Sequence, residues 1–364
     1  MFDSAKKYCL SRYAFLRRVG DVLVVESPVM GRQSKTVNSS VLLFFLRFAS
    51  PTKPIDVLSA CSSEQQATLV AFLEWCVANH LFVEVLPDGR TTEDIGPLAH
   101  WEFHDLLFHS ASRLGRNLGK IGGTYRLNGV VPPEPHARPR YSHASYMPLP
   151  EPDLATLMEN DVPFTRALEQ RRSKRTTSQL TIDALGHFLY RTCRVVHTST
   201  HEGESLVTKL YPSGGSLHPL EIYFVNHSCV GMERGLYHYD PQSHSAAKLR
   251  VFDTEIAQLL DAAATSSALE GYPAVLFEIC ARFRRSAWKY EGISYRLILA
   301  ELGALYQTMY LVASAMRLSP CAIGSGDSDY LASLLSSDYY LESAIGEFML
   351  SGPMAEPTEL EPQG

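Results

Sequence analysis

Residues 211–224 read Tyr-Pro-Ser-Gly-Gly-Ser-Leu-His-Pro-Leu-Glu-Ile-Tyr-Phe, and the reading of this stretch decides the fold. Gly214 and Gly215, flanked by Ser213 and Ser216, make a loop whose backbone can approach a ligand closely, because neither glycine carries a Cβ. Pro212 and Pro219 fix φ at both ends and remove two backbone donors, so the loop is stiff. Leu220–Val225 then predicts a strand from its β-branched and aromatic residues. A stiff small-residue loop feeding a strand suits the edge of a flat, hydrogen-bonding cofactor. An ordinary turn before a strand would use the same residues.

The rest of the chain frames that choice. At 364 residues, 45% hydrophobic and 20% charged, it has room for a main domain and a smaller one. A net charge of −6 argues against a general nucleic-acid or membrane-surface binder. Seven cysteines, at 9, 61, 76, 193, 229, 280 and 321, include no Cys-x-x-Cys pair. Buried thiols in a reducing compartment are expected, not a disulfide frame or a zinc ribbon. The N-terminal residues lack the apolar core of a signal peptide, and a cytoplasmic location is expected. Leu297–Met316 is apolar for nearly a membrane span, but Glu301 and Gln307 interrupt it and Arg296 and Arg317 bracket it. It reads as a core helix buried on several sides, with a subunit interface as a natural cover.

Residues 1–98 read as a small winged-helix domain. Val22–Glu26 predicts a strand after a Gly20-Asp21 turn, and helices are expected at Val41–Leu46, from Ile55, and from a Ser62 or Ser63 cap. Leu81–Val85 with Pro87-Asp-Gly-Arg predicts a strand and a hairpin tip, the wing. Between Ser62 and His80 there is no Lys or Arg, so peptide binding or packing suits this module better than nucleic-acid binding. Residues 99–160 read as a helix over 99–115 followed by a proline-rich linker or arm. His100 and His104 are spaced as metal ligands on one helical face would be, yet no third ligand accompanies them and no metal site is expected. A main domain is expected over 161–353 and a disordered tail over 354–364.

The main domain opens with Arg171-Arg-Ser-Lys-Arg. In an extended segment Arg171, Ser173 and Arg175 point one way, and two guanidinium forks around a hydroxyl would bind a phosphate monoester. A solvated basic run ahead of a helix fits the same residues. Ala274–Ala281 predicts a buried strand that delivers Arg282-Phe-Arg-Arg-Ser-Ala-Trp-Lys-Tyr. Four cations, Arg282, Arg284, Arg285 and Lys289, are expected to crowd Trp288 and Tyr290 and to lower the pKa of Lys289 and Tyr290 toward general acid–base use. A basic turn with an aromatic clasp is the other reading. Lys289 and Tyr290 reach one site only where the backbone is irregular. Gly324 and Gly326 form a lone Gly-x-Gly, a poor dinucleotide motif but a suitable second backbone loop against a cofactor. Phe348–Leu350 predicts a short final strand.

Together these segments resemble the SagB-type (McbC-like) flavin-dependent azoline dehydrogenases, a branch of the nitroreductase-fold oxidoreductases. The resemblance is carried by Arg171-Arg-Ser-Lys-Arg, Tyr211–Tyr223, Trp288-Lys-Tyr, Tyr295-Arg-Leu with Glu301-Leu-Gly, and Ala322-Ile-Gly-Ser-Gly, in the family's order, with His104–Gly115 similar to its entry helix. It implies an α+β nitroreductase-like fold, a central, mostly antiparallel sheet flanked by helices, preceded by the winged-helix region. It also implies an FMN enzyme, a homodimer that shares its flavin sites across the long helix. Its job would be to oxidise thiazolines or oxazolines of a ribosomally made precursor peptide to thiazoles or oxazoles, after a YcaO-type cyclodehydratase has formed the rings.

By the same resemblance, Arg171, Arg172, Ser173 and Arg175 hold FMN phosphate and polar ring edges. Pro212, Ser213, Gly214, Gly215 and Ser216 lie on the isoalloxazine loop, and Ile323, Gly324 and Ser325 face the flavin from the other side. Lys289 and Tyr290 match the family's catalytic pair, and His218 is given no role. Phe348 to Gly364 contains no Lys or Arg, so phosphate binding rests on the earlier arginines. Two alternatives stand beside this reading: an NAD(P)H-dependent nitroreductase or quinone reductase, and a flavin-less scaffold of a peptide-modifying complex.

Overall fold

The structure is a computed structural model that describes residues 2–353 apart from 32, 33, 60, 118, 202 and 203; the tail expected over 354–364 lies outside the described residues. The chain divides into two compact units, Met1–Thr124 with Glu291–Ile293, and Tyr125–Tyr290 with Ser294–Gly364.

The first unit runs β1 (Lys7–Leu10), β2 (Phe15–Val19), β3 (Val22–Glu26), β4 (Ser34–Val37), α1 (Ser39–Leu46), α2 (Pro54–Leu58), α3 (Ser63–Ala78) and β5 (Phe82–Val85). Strands β2, β3 and β4 form an antiparallel meander. Its first turn uses Gly20 at φ +57°, as the Gly20-Asp21 pair predicts. Ser62 and Gln65 close a capping box at the start of α3. The apolar faces of α1 and α3 meet β5 in one core, where Phe48 and Phe82 stack at 4.5 Å. The expected wing is tied down differently, because β5 pairs antiparallel with β1. Beyond β5 the chain turns tightly, and the Leu86 N–H donates to the Arg90 carbonyl at 2.7 Å.

The single helix expected over 99–115 is broken. A 3-10 turn at Gly96–His100 and extended residues Trp101 and Glu102 precede α4 (Phe103–Ala111). His100 and His104 therefore do not share a helical face. Among the described residues no group of three His, Cys, Asp or Glu side chains is placed to hold a metal.

The second unit is built on seven strands: β6 (Ser145–Pro148), β7 (Leu220–Asn226), β8 (Gly235–Asp240), β9 (Ser245–Val251), β10 (Val275–Arg282), β11 (Ser319–Ile323) and β12 (Glu342–Ser351). Their order across the sheet is β11–β12–β10–β7–β8–β9–β6. Every neighbouring pair is antiparallel. The helices are α5 (Leu154–Asn160), α6 (Phe164–Gln170), α7 (Ile182–Thr192), α8 (Thr254–Ser267), α9 (Phe283–Ala287), α10 (Ser294–Ala315) and α11 (Ser328–Leu335). Thr181 caps α7, accepting the Ala184 N–H at 3.2 Å. Period-two alternation gives the sheet two apolar faces. Phe224, Phe277 and Phe348 lie side by side on three adjacent strands and pack with α7 and α10. Tyr223, Leu276 and Met349 face α8 and α11.

One further expectation changes. The final strand is ten residues long instead of three. Its first half, Glu-Ser-Ala-Ile-Gly-Glu, carries buried polar groups and a glycine, so it lacks the apolar alternation by which a strand is recognised. Helix α10 fully buries Ile298, Glu301, Leu302, Leu305, Met309 and Ala313, and Ala304, Tyr306, Tyr310 and Val312 are partly buried against the same core. The three-and-four spacing of the fully buried residues is what one sheet face can cover. The proline-rich segment is packed within the second unit: Arg282 and Trp288 donate to the carbonyls of Pro135 (2.9 Å) and Val131 (2.7 Å).

Phe277 lies between Phe188 at 5.8 Å and Phe224 at 5.9 Å. Phe277→Ala is expected to cost about 3–5 kcal/mol in a urea unfolding titration. Met158→Ala, at a position 86% exposed, should stay within about 0.5 kcal/mol of wild type.

Candidate functional site

The loop after Tyr211 turns on backbone that side chains rarely adopt. Gly215 has φ +64°, and Ser216 and His218 follow at +55° and +45°. Left-handed residues other than glycine are strained and persist only where their surroundings over-determine them. Three anchors do so here. The Ser213 hydroxyl donates to the Glu301 carboxylate of α10 and accepts the His218 N–H at 2.9 Å. Gly214 rests on Leu297, where a Cβ would lie 3.1 Å from the leucine methyl. The Arg285 guanidinium donates to the Leu217 carbonyl at 2.7 Å. Tyr211, Leu217, His218 and Pro219 are buried while Pro212, Gly215 and Ser216 are exposed. The loop thus has a fixed root and an open outer edge.

Lys289 and Tyr290 come from the end of β10 by way of α9. Helix α9 ends at Ala287 with Trp288 as its C-cap, and Tyr290 begins an extended pair, which is the irregular backbone that two adjacent site residues require. A Cβ on Gly215 would lie 2.6 Å from the Tyr290 hydroxyl. Two segments 75 positions apart therefore meet at one point. Lys289 Nζ stands 5.3 Å from the centre of the Tyr125 ring, and the Tyr125 N–H donates to the Lys289 carbonyl at 3.1 Å.

The three arginines expected to crowd Trp288 and Tyr290 each have partners. Arg282 pairs with Glu221 at 3.2 Å and Glu134 at 3.3 Å, and Arg284 pairs with Glu134 at 2.8 Å. Arg285 donates to the Leu217 and Glu134 carbonyls. Each arginine faces an acid or a carbonyl, so the positive charge is matched by partners instead of being aimed at Tyr290. Burial would raise the Glu221 carboxyl, but His238, Arg282 and Lys209 together hold it down at about 2.

Residues 171–179 lie in no helix or strand, and three of their side chains gather at Tyr310 and Cys321. The Arg171 guanidinium lies 5.3 Å from the Tyr310 ring centre, and Ser173 Oγ lies 2.8 Å from the Tyr310 hydroxyl. Arg175 belongs to the same side: burial pushes the Cys321 thiol up, and Arg175 and Ser173 pull it back. Arg172 turns the other way with Lys174, into a cleft of about 850 Å³ shared with Arg166 and Arg317. Its guanidinium donates to the Glu169 and Arg171 carbonyls, which separates it from the other predicted binding residues.

Tyr310 also accepts the Ala322 N–H at 2.8 Å, tying this segment to β11 and so to Ile323, Gly324 and Ser325. A Cβ on Gly324 would meet nothing within 4 Å, so that backbone is open, whereas one on Gly326 would collide with the Glu347 carboxyl. Glu301 and Tyr310 are nine residues apart on α10, roughly 13 Å. One helix therefore carries both the glycine loop and the basic segment. Glu301, Tyr310, His218 and Glu347 were not assigned functional roles from the sequence. Glu301 had stood out as a polar break in an apolar run and as part of the Glu301-Leu-Gly motif of the resemblance, with no role attached.

Comparison with known proteins follows the same division. Residues 8–118 match the family model of the cyanobactin oxidase ThcOx, and residues 168–346 match the nitroreductase family. The chain is an McbC-like member of the nitroreductase superfamily. It is 29% identical to a nitroreductase-type protein of Methanocaldococcus jannaschii over 52% of this chain and 89% of that protein. To the trifolitoxin-processing protein TfxB of Rhizobium leguminosarum bv. trifolii it is 26% identical, over 59% of this chain and 57% of TfxB. To the microcin B17-processing protein McbC of Escherichia coli it is 28% identical, over 36% of this chain. The match spans half the length of McbC. In this superfamily member the glycine loop, the basic segment and the Lys289–Tyr290 pair all fall inside the nitroreductase-family match.

Glu347 lies opposite Glu278 across β12 and β10, and both are buried. Burial pushes Glu347 up to about 7, and burial followed by the charge of Glu347 raises Glu278 well above its usual range. Between the unfolded carboxyl range near 4.3 and about pH 7 the folded chain keeps a proton at Glu347 that the unfolded chain has lost. Stability is therefore expected to fall as pH rises through that window. Glu347→Gln should flatten the fall in urea midpoints measured between about pH 5 and pH 8, and an unchanged slope would contradict the assignment.

Proposed function

We propose that this chain is an FMN-dependent dehydrogenase that oxidises thiazoline or oxazoline rings of a ribosomally made precursor peptide to thiazoles or oxazoles. The observation that carries the reading is the Tyr290 hydroxyl set against Gly215, with Lys289 beside it. The names of McbC, TfxB and ThcOx, two peptide-processing proteins and a cyanobactin oxidase, support it.

The residues present fit FMN. The backbone of Ser213, Gly214, Gly215 and Ser216 after Pro212 offers an exposed, Cβ-poor edge for a flat ring. Gly324 and Ser325, exposed just after the buried Ile323, offer a second open stretch. Arg171 and Ser173 meet at Tyr310, and Ser173 and Arg175 act on Cys321, a suitable fork for the phosphate. When bound, FMN supplies the hydride acceptor that the aromatisation of an azoline needs.

The chain's own part is then proton transfer and orientation. Aromatisation removes a proton from the carbon α to the imine and a hydride from the neighbouring ring carbon. Tyr290 or Lys289 takes the proton while the other orients it or stabilises developing charge. The Trp288 indole bond to Val131 and the Arg285 anchor before it hold the pair against the loop. Around this core we place a homodimer that covers the apolar remainder of α10, a cytoplasmic setting, and a YcaO-type cyclodehydratase as the source of the azoline.

Lys289→Ala and Tyr290→Phe are expected to keep FMN, seen as a yellow protein that releases FMN on denaturation. Each should lose about 10²- to 10⁴-fold in azoline oxidation. Loss of flavin in either variant would make the pair structural. Bleaching of the bound flavin by NADH would favour a small-molecule reductase instead.

A further inference from the structure

Helix α10 is apolar along its buried stripe except at Glu301. The Glu301 side chain is 1% exposed, and a buried carboxylate needs donors. One oxygen accepts the Ser213 hydroxyl. The other, Oε1, lies 3.5 Å from Nδ1 of His218, whose side chain is 4% exposed. Neither of these two atoms has a hydrogen-bond partner among the described residues, and each is the polar atom the other faces. Ser213 Oγ accepts the His218 N–H at 2.9 Å, so the three residues close a ring.

That ring encloses the strained backbone. Between its two loop members lie Gly214, Gly215, Ser216 and Leu217, and the left-handed residues are 215, 216 and 218. Ser213 and His218 are the two ends of this turn, and Glu301 is the one group that touches both side chains. Burial pushes the His218 pKa down, with Lys209 and Arg285 acting in the same direction against Glu301. A neutral imidazole can present an N–H at Nδ1 to the carboxylate, and Tyr211, stacked edge-on at 5.2 Å, holds the ring in place.

We infer that Glu301 is a positioning residue: held between Ser213 and His218, its carboxylate clamps residues 213–218 in the shape that receives the ligand. This rests on the reading that the loop holds a flavin ring. Glu301 reaches that ring only through the loop, so its removal loosens the binding edge without touching Lys289 or Tyr290.

Ser213→Ala, Glu301→Leu, the double variant and Glu301→Gln would be compared in two readouts. One is the FMN dissociation constant of the apoprotein, with the urea midpoint as the control for folding. The other is hydrogen–deuterium exchange of the peptide covering 213–218 in the absence of FMN. Ser213→Ala and Glu301→Leu are each expected to weaken FMN by about tenfold or more and to speed exchange of that peptide. The double variant should be no weaker than Glu301→Leu, because both changes break one clamp. Glu301→Gln should stay within about threefold of wild type, since an amide can accept from Ser213 and donate to His218. A rescue of this kind is not expected of a side chain that only fills space.

If Glu301→Leu does not fold, Ser213→Ala and Glu301→Gln still decide. Wild-type affinity and exchange in Ser213→Ala would overturn the inference, as would losses that multiply in the double variant. Failure of the wild-type protein to bind FMN, with fast exchange seen only in the variants, would remove the flavin reading and leave the clamp.

Discussion

A carboxylate in the middle of an apolar helix has to be matched by donors, and meeting that demand shapes the second unit. Glu301 draws Ser213 and His218 onto α10, and with them the glycine loop. Four residues earlier, Leu297 supports Gly214, and nine residues later Tyr310 receives Ser173. The helix is thus a ruler. Its rise of roughly 1.5 Å per residue spaces a ring-sized edge from a phosphate-sized fork along one line. The sheet beneath makes the ruler rigid, through the phenylalanine row of β7, β10 and β12.

The end of β10 adds a second constraint. Arg282, Arg284, Arg285 and Trp288 are spent on acids and carbonyls, and most of those partners belong to residues 131–136. A buried guanidinium without such partners would be costly. The proline-rich segment meets that cost because prolines leave carbonyls with no local N–H to bond them. The consequence for function is placement. Lys289 and Tyr290 sit one step beyond these anchors, and only there does the chain turn Tyr290 toward Gly215.

Much of this was legible in the sequence because it rests on local rules. The capping box at Ser62, the turn at Gly20-Asp21 and the strand from Leu220 each follow from neighbouring residues, and each is found. The encounter of Tyr290 with Gly215 was legible only as a resemblance, since nothing in spacing brings residues 75 apart together. Other features were hidden because tertiary partners decide them. Glu342 to Glu347 is strand only because β10 pairs with it. Arg282 to Arg285 read as free charge because Glu134 and Glu221 are far away in the chain. Arg172 looked like its neighbours until alternation placed it on the opposite side.

The central proposal is that this loop would hold the FMN that accepts a hydride from an azoline ring, while Lys289 or Tyr290 takes the proton. The most direct measurement is anaerobic mixing of the FMN-loaded protein with a peptide carrying one thiazoline, followed by the flavin's visible absorbance and the peptide's mass. The account predicts bleaching of the flavin, with one peptide losing two hydrogens for each flavin reduced. A flavin that stays oxidised with every such peptide, and bleaches at once with NADH, would contradict it.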